Sequence, residues 1–348
     1  MKVTDVHITV HRRPPDPDPI RDAIQALPGT GTVTVTVHTD EGFSGSGEIY
    51  FGRIVGGPDA LGALIEQVLK PIVIGTEPEM VRATHAAMLR ETEYLGSFGL
   101  AMWGIAALDT ALWDCLGKAQ GVACWQLWGG VNERIRAYAM VGWLNYPDDA
   151  VQRICAKAVE QGFRGVKIKV GYPTLAEDIA RVKTVRQAIG GDIDLMVDAN
   201  QSLTTAEALR RGRAFEDVGC LWWEEPIPAD DIDGYAELAD ALDIPVATGE
   251  NLYTSADFAR FLRRDAVDII QPDLRRAGGP TAMLQIGLMA AAFRRPYASH
   301  GGDTVQLNVM ACLPNAYYLE TGLLSPDSPM KLVDGCVPIP RGAGFGWE

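Results

Sequence analysis

The 348-residue sequence contains no run of about 18 apolar residues, and its opening, MKVTDVHITVHRR, lacks the apolar stretch and small-residue cleavage site of a secretory signal. Neither membrane insertion nor export by that route is expected. Basic residues are outnumbered by acidic ones, 31 to 45, which leaves a formal charge of −14. A surface of that sign repels phosphate backbones and anionic bilayers, so neither nucleic acid nor membrane is an expected partner. The six cysteines, at 115, 124, 155, 220, 312 and 336, form no C-x-x-C pair and no compact framework. They read as reduced thiols of a cytoplasmic protein. A phosphate cradle is missing too: Gly29-Thr30-Gly31 does not extend to G-x-G-x-x-G, and it leads into a strand where that motif opens a helix.

An apolar share of 47% at this length supplies a large core and a smaller second unit. Up to about residue 120, strands come first (VTDVHITV, then TVTVTVHT and GFSGSGEIY around the turn Asp40-Glu41-Gly42). Helical stretches follow at about 58–70, 78–94 and 98–118. Such segregation predicts an α+β unit. Between the first strands lies the proline-rich segment 12–31, for which a solvated loop and a lid over a site are both open readings.

Beyond residue 130, short β-rich runs alternate with helical stretches: RAYAMVGW, GVKIKV, IDLMVDAN, LWWEEP, IPVATGEN, VDIIQPD, RPYASH and AYYLET. Eight strands with seven intervals predict a (β/α)7β barrel. The expected domains are a capping unit over 1–122, rejoined by a proline- and glycine-rich tail at 322–348, and a barrel over 123–321.

The barrel strands end in residues that buried parallel strands should not contain. Lys169, Asp198, Glu224, Glu250, Asp273, His300 and Glu320 follow one another at intervals of 20 to 29 residues, about one strand-helix unit each. They therefore reach the same rim, the C-terminal mouth where barrel enzymes carry their sites. Taken singly, each has a structural reading as helix cap, ion-pair partner or core histidine; their coincidence at successive strand ends does not. Asp198, Glu224 and Glu250 together in a dry mouth would each be costly as anions, and a divalent cation removes the cost. Oxygen-only ligation suits Mg²⁺. Lys167 and Lys169, two apart, face the same way. As neighbouring ammonium groups they are expected to titrate below a free lysine, which suits a general base. His300 offers a second acid or base, with Asp273 one strand earlier to hold its other ring nitrogen.

Read in order, Lys167-Ile168-Lys169, VDAN at Asp198, WEEP at Glu224, GEN at Glu250, QPD at Asp273, SH at His300 and LE at Glu320 resemble the mandelate racemase subgroup of the enolase superfamily. The likeness spans nearly the whole barrel, and the first unit is similar to that family's capping domain. It implies Mg²⁺ on Asp198, Glu224 and Glu250, with Lys169 taking the proton next to a substrate carboxylate that Lys167 steadies. His300 with Asp273 then acts on the opposite face, and Glu320 donates a hydrogen bond to the enolate-like carboxylate. Of WEEP's two glutamates the family uses the first, so Glu225 is left out. The muconate-lactonising and dipeptide-epimerase subgroup would carry a lysine where Asp273 stands.

The resemblance implies an enzyme acting on a small carboxylate, foremost a lyase dehydrating an acid sugar to a 2-keto-3-deoxy acid. A racemase or epimerase of a 2-hydroxy acid is the alternative, and a non-catalytic binding barrel the third reading. Specificity is expected from 12–31 and from YFGRIVGG at 50–57, where Tyr50 and Arg53 are candidate substrate contacts or ordinary surface. Asn200 and Asn251 adjoin metal ligands and fit either a supporting or a plain turn role; Trp143 either lines the mouth or packs in the core. A homo-oligomer is expected by analogy.

Overall fold

The computed structural model describes residues 1–346, so the last two residues of the expected tail, Trp347 and Glu348, lie outside the described residues. The chain opens with β1 (Val3–Arg12), a short hairpin of β2 (Ile20–Arg21) and β3 (Ala26–Leu27), then β4 (Gly31–Thr39) and β5 (Ser44–Phe51). Strands β1, β4 and β5 form an antiparallel sheet in that order. Strict alternation in β4 buries Val33, Val35 and Val37 on one face and turns Thr32, Thr34 and Thr36 to the other.

The buried face receives the helix Leu100–Gln120, which lies close because β5 offers glycines there. A β-carbon added at Gly47 would stand 2.1 Å from the Ala107 carbonyl oxygen, and one at Gly45 2.2 Å from the Cys115 nitrogen. Gly47→Ala is therefore expected to destabilise the protein by about 1–3 kcal/mol through overpacking. Urea titration checks this, and an unchanged midpoint would show that the helix can back away freely.

From residue 134 the predicted alternation is observed. Strands β6 (Arg134–Gly142), β7 (Gly165–Lys169), β8 (Asp194–Asp198), β9 (Trp223–Glu224), β10 (Val246–Thr248), β11 (Ile269–Ile270) and β12 (Tyr318–Thr321) are parallel, in the order β11-β10-β9-β8-β7-β6-β12. The gap between β11 and β12 is filled by residues 297–300, through parallel bridges Ile270↔Tyr297, Asp273↔His300 and Tyr297↔Ala316. This seventh stave pairs only by such bridges; Pro296 just before it has no N–H to give a ladder. Helices occupy all seven intervals, so the barrel is of the (β/α)7β kind. Inside it, Tyr138, Met196, Trp222, Ala247, Ile269, Ala298 and Tyr318 pack into a separate apolar plug beneath the mouth.

Two connections tie the units together. Asp109, fully buried on the helix Leu100–Gln120, accepts the Thr281 backbone N–H at 2.8 Å and its hydroxyl at 2.8 Å, capping the helix Pro280–Ala292 from outside. At the other end of the chain, β13 (Cys336–Pro338) lies antiparallel on β6. Gly344 then accepts the Cys124 N–H at 2.7 Å, and the Phe345 N–H reaches Asp114 Oδ1 at 3.2 Å. Among the described residues, no helix is long and apolar enough to cross a membrane.

Candidate active site at the barrel mouth

Strand register, more than sequence spacing, sets the height of the polar groups. Lys169 pairs with Asp198 across β7 and β8, and Asp198 pairs with Glu224 across β8 and β9. The three therefore stand in one row along the rim. Glu250 follows β10, and Asp273 faces His300 across the next gap. Ligand oxygens of Asp198, Glu224 and Glu250 lie within 4.8 Å of one another, which brings the expected trio together.

Both lysines point inward and are almost wholly buried. Lys169 Nζ donates to Asp198 Oδ2 at 2.5 Å and lies 5.3 Å from the Trp143 ring, so Trp143 lines the mouth. Lys167 donates to Glu224 Oε1 and to Glu320 Oε2. The expectation that the lysines titrate low is not met. Burial is the strongest single influence on Lys169 and pulls it down, yet Asp198, Glu250 and Glu224 together outweigh it and the ammonium is stabilised above its ordinary range; Lys167 is likewise lowered first by burial, and its anionic neighbours, led by Glu224 and Glu320, raise it well above that range. Carboxylates from other strands override the mutual repulsion of two lysines.

Glu320, expected as a hydrogen-bond donor, stands as an acceptor of bonds from Lys167 and Tyr138. Burial favours its neutral form, but Lys167 and the Tyr138 hydroxyl, 2.5 Å from Oε2, hold it ionised, down at about 2. An ionised carboxylate only accepts hydrogen bonds, so Glu320 cannot donate one in this state.

Glu224 is pushed up to about 7, first by burial, with Lys167 opposing and Asp198, Glu320 and Glu250 reinforcing. Its neighbour Glu225, strained into a left-handed backbone at φ 40°, is held well above the carboxylate range by burial and by Glu250 and Asp198. Asn251 donates to both Glu225 oxygens at 2.8 Å, which gives it a supporting role behind the acidic cluster. The Asn200 N–H caps Asp198 Oδ1 at 2.8 Å, while the amide oxygen Oδ1 of Asn200 is buried without a hydrogen-bond partner among the described residues.

On the opposite side, His300 Nδ1 lies 2.8 Å from Asp273 Oδ2 and Nε2 lies 3.0 Å from Glu250. Burial would lower the imidazole, but Glu250 and Asp273 raise it above its usual value. Asp273 is drawn far below the carboxylate range despite burial, chiefly by Arg275 and then by His300. With Asp273 ionised and accepting, Nδ1 carries the proton and Nε2 is the nitrogen presented to the mouth.

The cap contributes at two places. The β2-β3 hairpin inside segment 12–31 is seated on the rim, with the Arg21 N–H on Asn145 Oδ1 at 3.0 Å and the Leu144 N–H on the Arg21 carbonyl at 2.8 Å. Arg53 binds the hairpin's Gln25 Oε1 at 3.2 Å and is exposed. Tyr50 lines a cavity of about 760 Å³ that also contains Asp273, Arg275, His300 and Gln306; Arg53 does not line it.

Sequence reasoning missed several groups. Trp222 and Gln271 donate to Glu224 Oε2 at 3.0 and 2.7 Å, and each stands two residues before a rim carboxylate. Period-two facing would have found them, as it would Tyr138. Arg181 is nearly buried on the helix Leu175–Ile189 and donates to the carbonyls of Lys169 at 3.2 Å and Trp143 at 2.6 Å. Nothing in strand periodicity signals a helix residue that reaches over a strand end.

Two family models match the chain: "Mandelate racemase / muconate lactonizing enzyme, N-terminal domain" over residues 4–129 and "Enolase C-terminal domain-like" over residues 150–348. The chain belongs to the enolase superfamily, in its mandelate racemase subgroup. Within that superfamily it is similar to an arabinonate dehydratase from Saccharolobus solfataricus, with 35% identity over 89% of this chain and 84% of that protein. It is also similar to an L-talarate/galactarate dehydratase from Salmonella typhimurium, 34% identical over 90% of this chain and 79% of that one. Among solved structures, a racemase from Streptomyces coelicolor A3(2) with bound magnesium superposes with a TM-score of 0.92 at 30% identity, covering 99% of this chain and 96% of the other.

Members of the superfamily use Mg²⁺, and the donor set here fits that ion. It consists of hard oxygens alone, converges from three strands, and includes a buried carboxyl driven up to about 7 by desolvation and its like-charged neighbours.

Proposed function

We propose that the chain is an Mg²⁺-dependent lyase that removes water from an acid sugar to form a 2-keto-3-deoxy acid. One observation carries the reading: a lysine and a histidine flank a three-carboxylate cluster from opposite sides, Lys169 hydrogen-bonded to Asp198 and His300 Nε2 lying 3.0 Å from Glu250. That arrangement offers a base on one face of a bound carboxylate and an acid on the other. The names of the dehydratase relatives support an acid sugar as substrate.

In this reading Asp198, Glu224 and Glu250 hold the metal. Asp198, so engaged, would hold the Lys169 proton less tightly, and a bound ion would supply stabilisation of the negative charge developing on the substrate carboxylate. Lys169 takes the α-proton, and the electron pair moves into the carboxylate as an enolate. Lys167, held between Glu224 and Glu320, supplies a fixed positive charge beside that carboxylate. Glu320 serves to orient Lys167 rather than to donate. His300, its Nδ1 fixed by Asp273, delivers a proton from Nε2 to the departing β-hydroxyl. The resulting enol tautomerises to the keto acid. Asn200 is a candidate for a substrate hydroxyl through its buried Oδ1, as is Tyr50 from the cap, whereas Arg53 is engaged by Gln25 outside the cavity.

A panel of aldonates and aldarates with Mg²⁺, assayed for 2-keto-3-deoxy acid, tests the reaction class. Keto-acid formation supports it, while α-proton exchange with deuterium from solvent without keto product would replace it by a racemase or epimerase. The similarity to the Streptomyces racemase favours that second reading. No exchange and no product with any carboxylate would leave a binding barrel. His300→Asn is expected to cut dehydration by about 10²- to 10⁴-fold while α-proton exchange at the Lys169 face persists. A parallel loss of both would remove His300 from the acid's role.

A further inference from the structure

The dyad carboxylate has a second cationic partner that reaches it from the side of the cap. Arg275 grips Asp273 with its guanidinium fork: Nε lies 3.1 Å from Oδ1 and 3.2 Å from Oδ2, and Nη2 lies 2.6 Å from Oδ2. The remaining arm, Nη1, donates to the Tyr50 carbonyl of β5 at 3.2 Å. The guanidinium carbon stands 5.4 Å from the ring centre of Trp103 on the helix Leu100–Gln120. One side chain thus touches the dyad, the cap's edge strand and the cap's long helix.

Asp273 is saturated as a result. Its Oδ1 accepts the backbone N–H groups of Arg275 and Arg276 at 2.8 and 3.0 Å as well as Nε, and its Oδ2 is shared by Nη2 and by His300 Nδ1 at 2.8 Å. A carboxylate held by this many charged and backbone donors cannot turn about its Cβ–Cγ bond without breaking several bonds at once. The plane of the imidazole is set by that carboxylate, and so is the nitrogen that faces the mouth. A lysine at 275 would supply charge but no fork.

We propose that Arg275 is a positioning residue for the acid on the His300 face: it fixes the Asp273 carboxylate and links its orientation to the seating of the cap through Tyr50 and Trp103. The proposal rests on the function above only in giving His300 the acid's role. In the Mg²⁺-loaded protein, Arg275→Met is expected to lower kcat for dehydration by about 10- to 100-fold, to leave KM within about 3-fold, and to spare α-proton exchange at the Lys169 face. Arg275→Lys is expected to recover part of the loss.

A second measurement needs no turnover. In protein labelled with ¹⁵N-histidine, the Nδ1 proton of His300, assigned by its absence in His300→Asn, is expected as a downfield resonance that broadens or moves upfield in Arg275→Met. An unshifted Nδ1 proton in Arg275→Met overturns the proposal. So does a variant in which dehydration and Lys169-face exchange fall together with the melting temperature, since that marks a purely structural arginine. Wild-type protein that forms no keto acid would count against the function, and the resonance would still decide the role of Arg275.

Discussion

Replacing Lys169 by alanine is expected to lower turnover by about 10²- to 10⁴-fold and to end α-proton exchange on that face, with the fold retained. The size follows from position. Nζ is buried at the rim, 2.5 Å from Asp198 and in the same row as Glu224, and its neighbour Lys167 is committed to Glu224 and Glu320. The control is stability. Removing one partner of a buried pair leaves Asp198 without its nearest counter-charge, which costs about 3–5 kcal/mol when nothing replaces it. Bound Mg²⁺ would replace it, so circular dichroism and exchange by NMR should both be recorded with the metal present. Full exchange in a folded Lys169→Ala protein would remove the lysine from the base's role.

Glu250→Gln is expected to weaken Mg²⁺ binding by more than the roughly 10- to 100-fold typical of an outer-sphere change, because it converts an anionic ligand into a neutral one. Titration calorimetry measures this directly. Thermal unfolding offers an independent check: at a metal concentration 100 times Kd, binding to the folded state alone stabilises wild type by about 2.7 kcal/mol, and that increment should fall to about 0.4 kcal/mol or less in a variant whose Kd has risen 100-fold or more. Equal metal affinity in the two proteins would take Glu250 out of the ligand set. His300 would feel the change as well, since its Nε2 lies 3.0 Å from Glu250.

Much of this architecture is legible in the linear pattern. Polar residues ending apolar runs at unit intervals mark the mouth, because a closed parallel sheet leaves no other place for them. The turn Asp40-Glu41-Gly42 likewise falls between β4 and β5. Charge state is a different matter. The protonation of Lys167 depends on Glu224 and Glu320, 57 and 153 residues away along the chain, so repulsion from its neighbour two positions on is the wrong interaction to weigh. Arg275 shows a related blindness. As a sequence symbol it merely stands near a position where another subgroup carries lysine; its contacts with Tyr50 and Trp103 exist only once the cap has docked. The seventh stave reads as a full strand in RPYASH, yet it pairs through isolated bridges.

The late strand β13 carries a consequence for biosynthesis. It completes the flank of β6, the first barrel strand to leave the ribosome, and the residues just after it bond to Cys124 and Asp114. Some 200 residues of translation separate the two halves of that contact, roughly ten to forty seconds at ordinary elongation rates of 5–20 residues per second. For that interval the nascent chain displays an unfinished sheet margin, and shielding by chaperones matters most there.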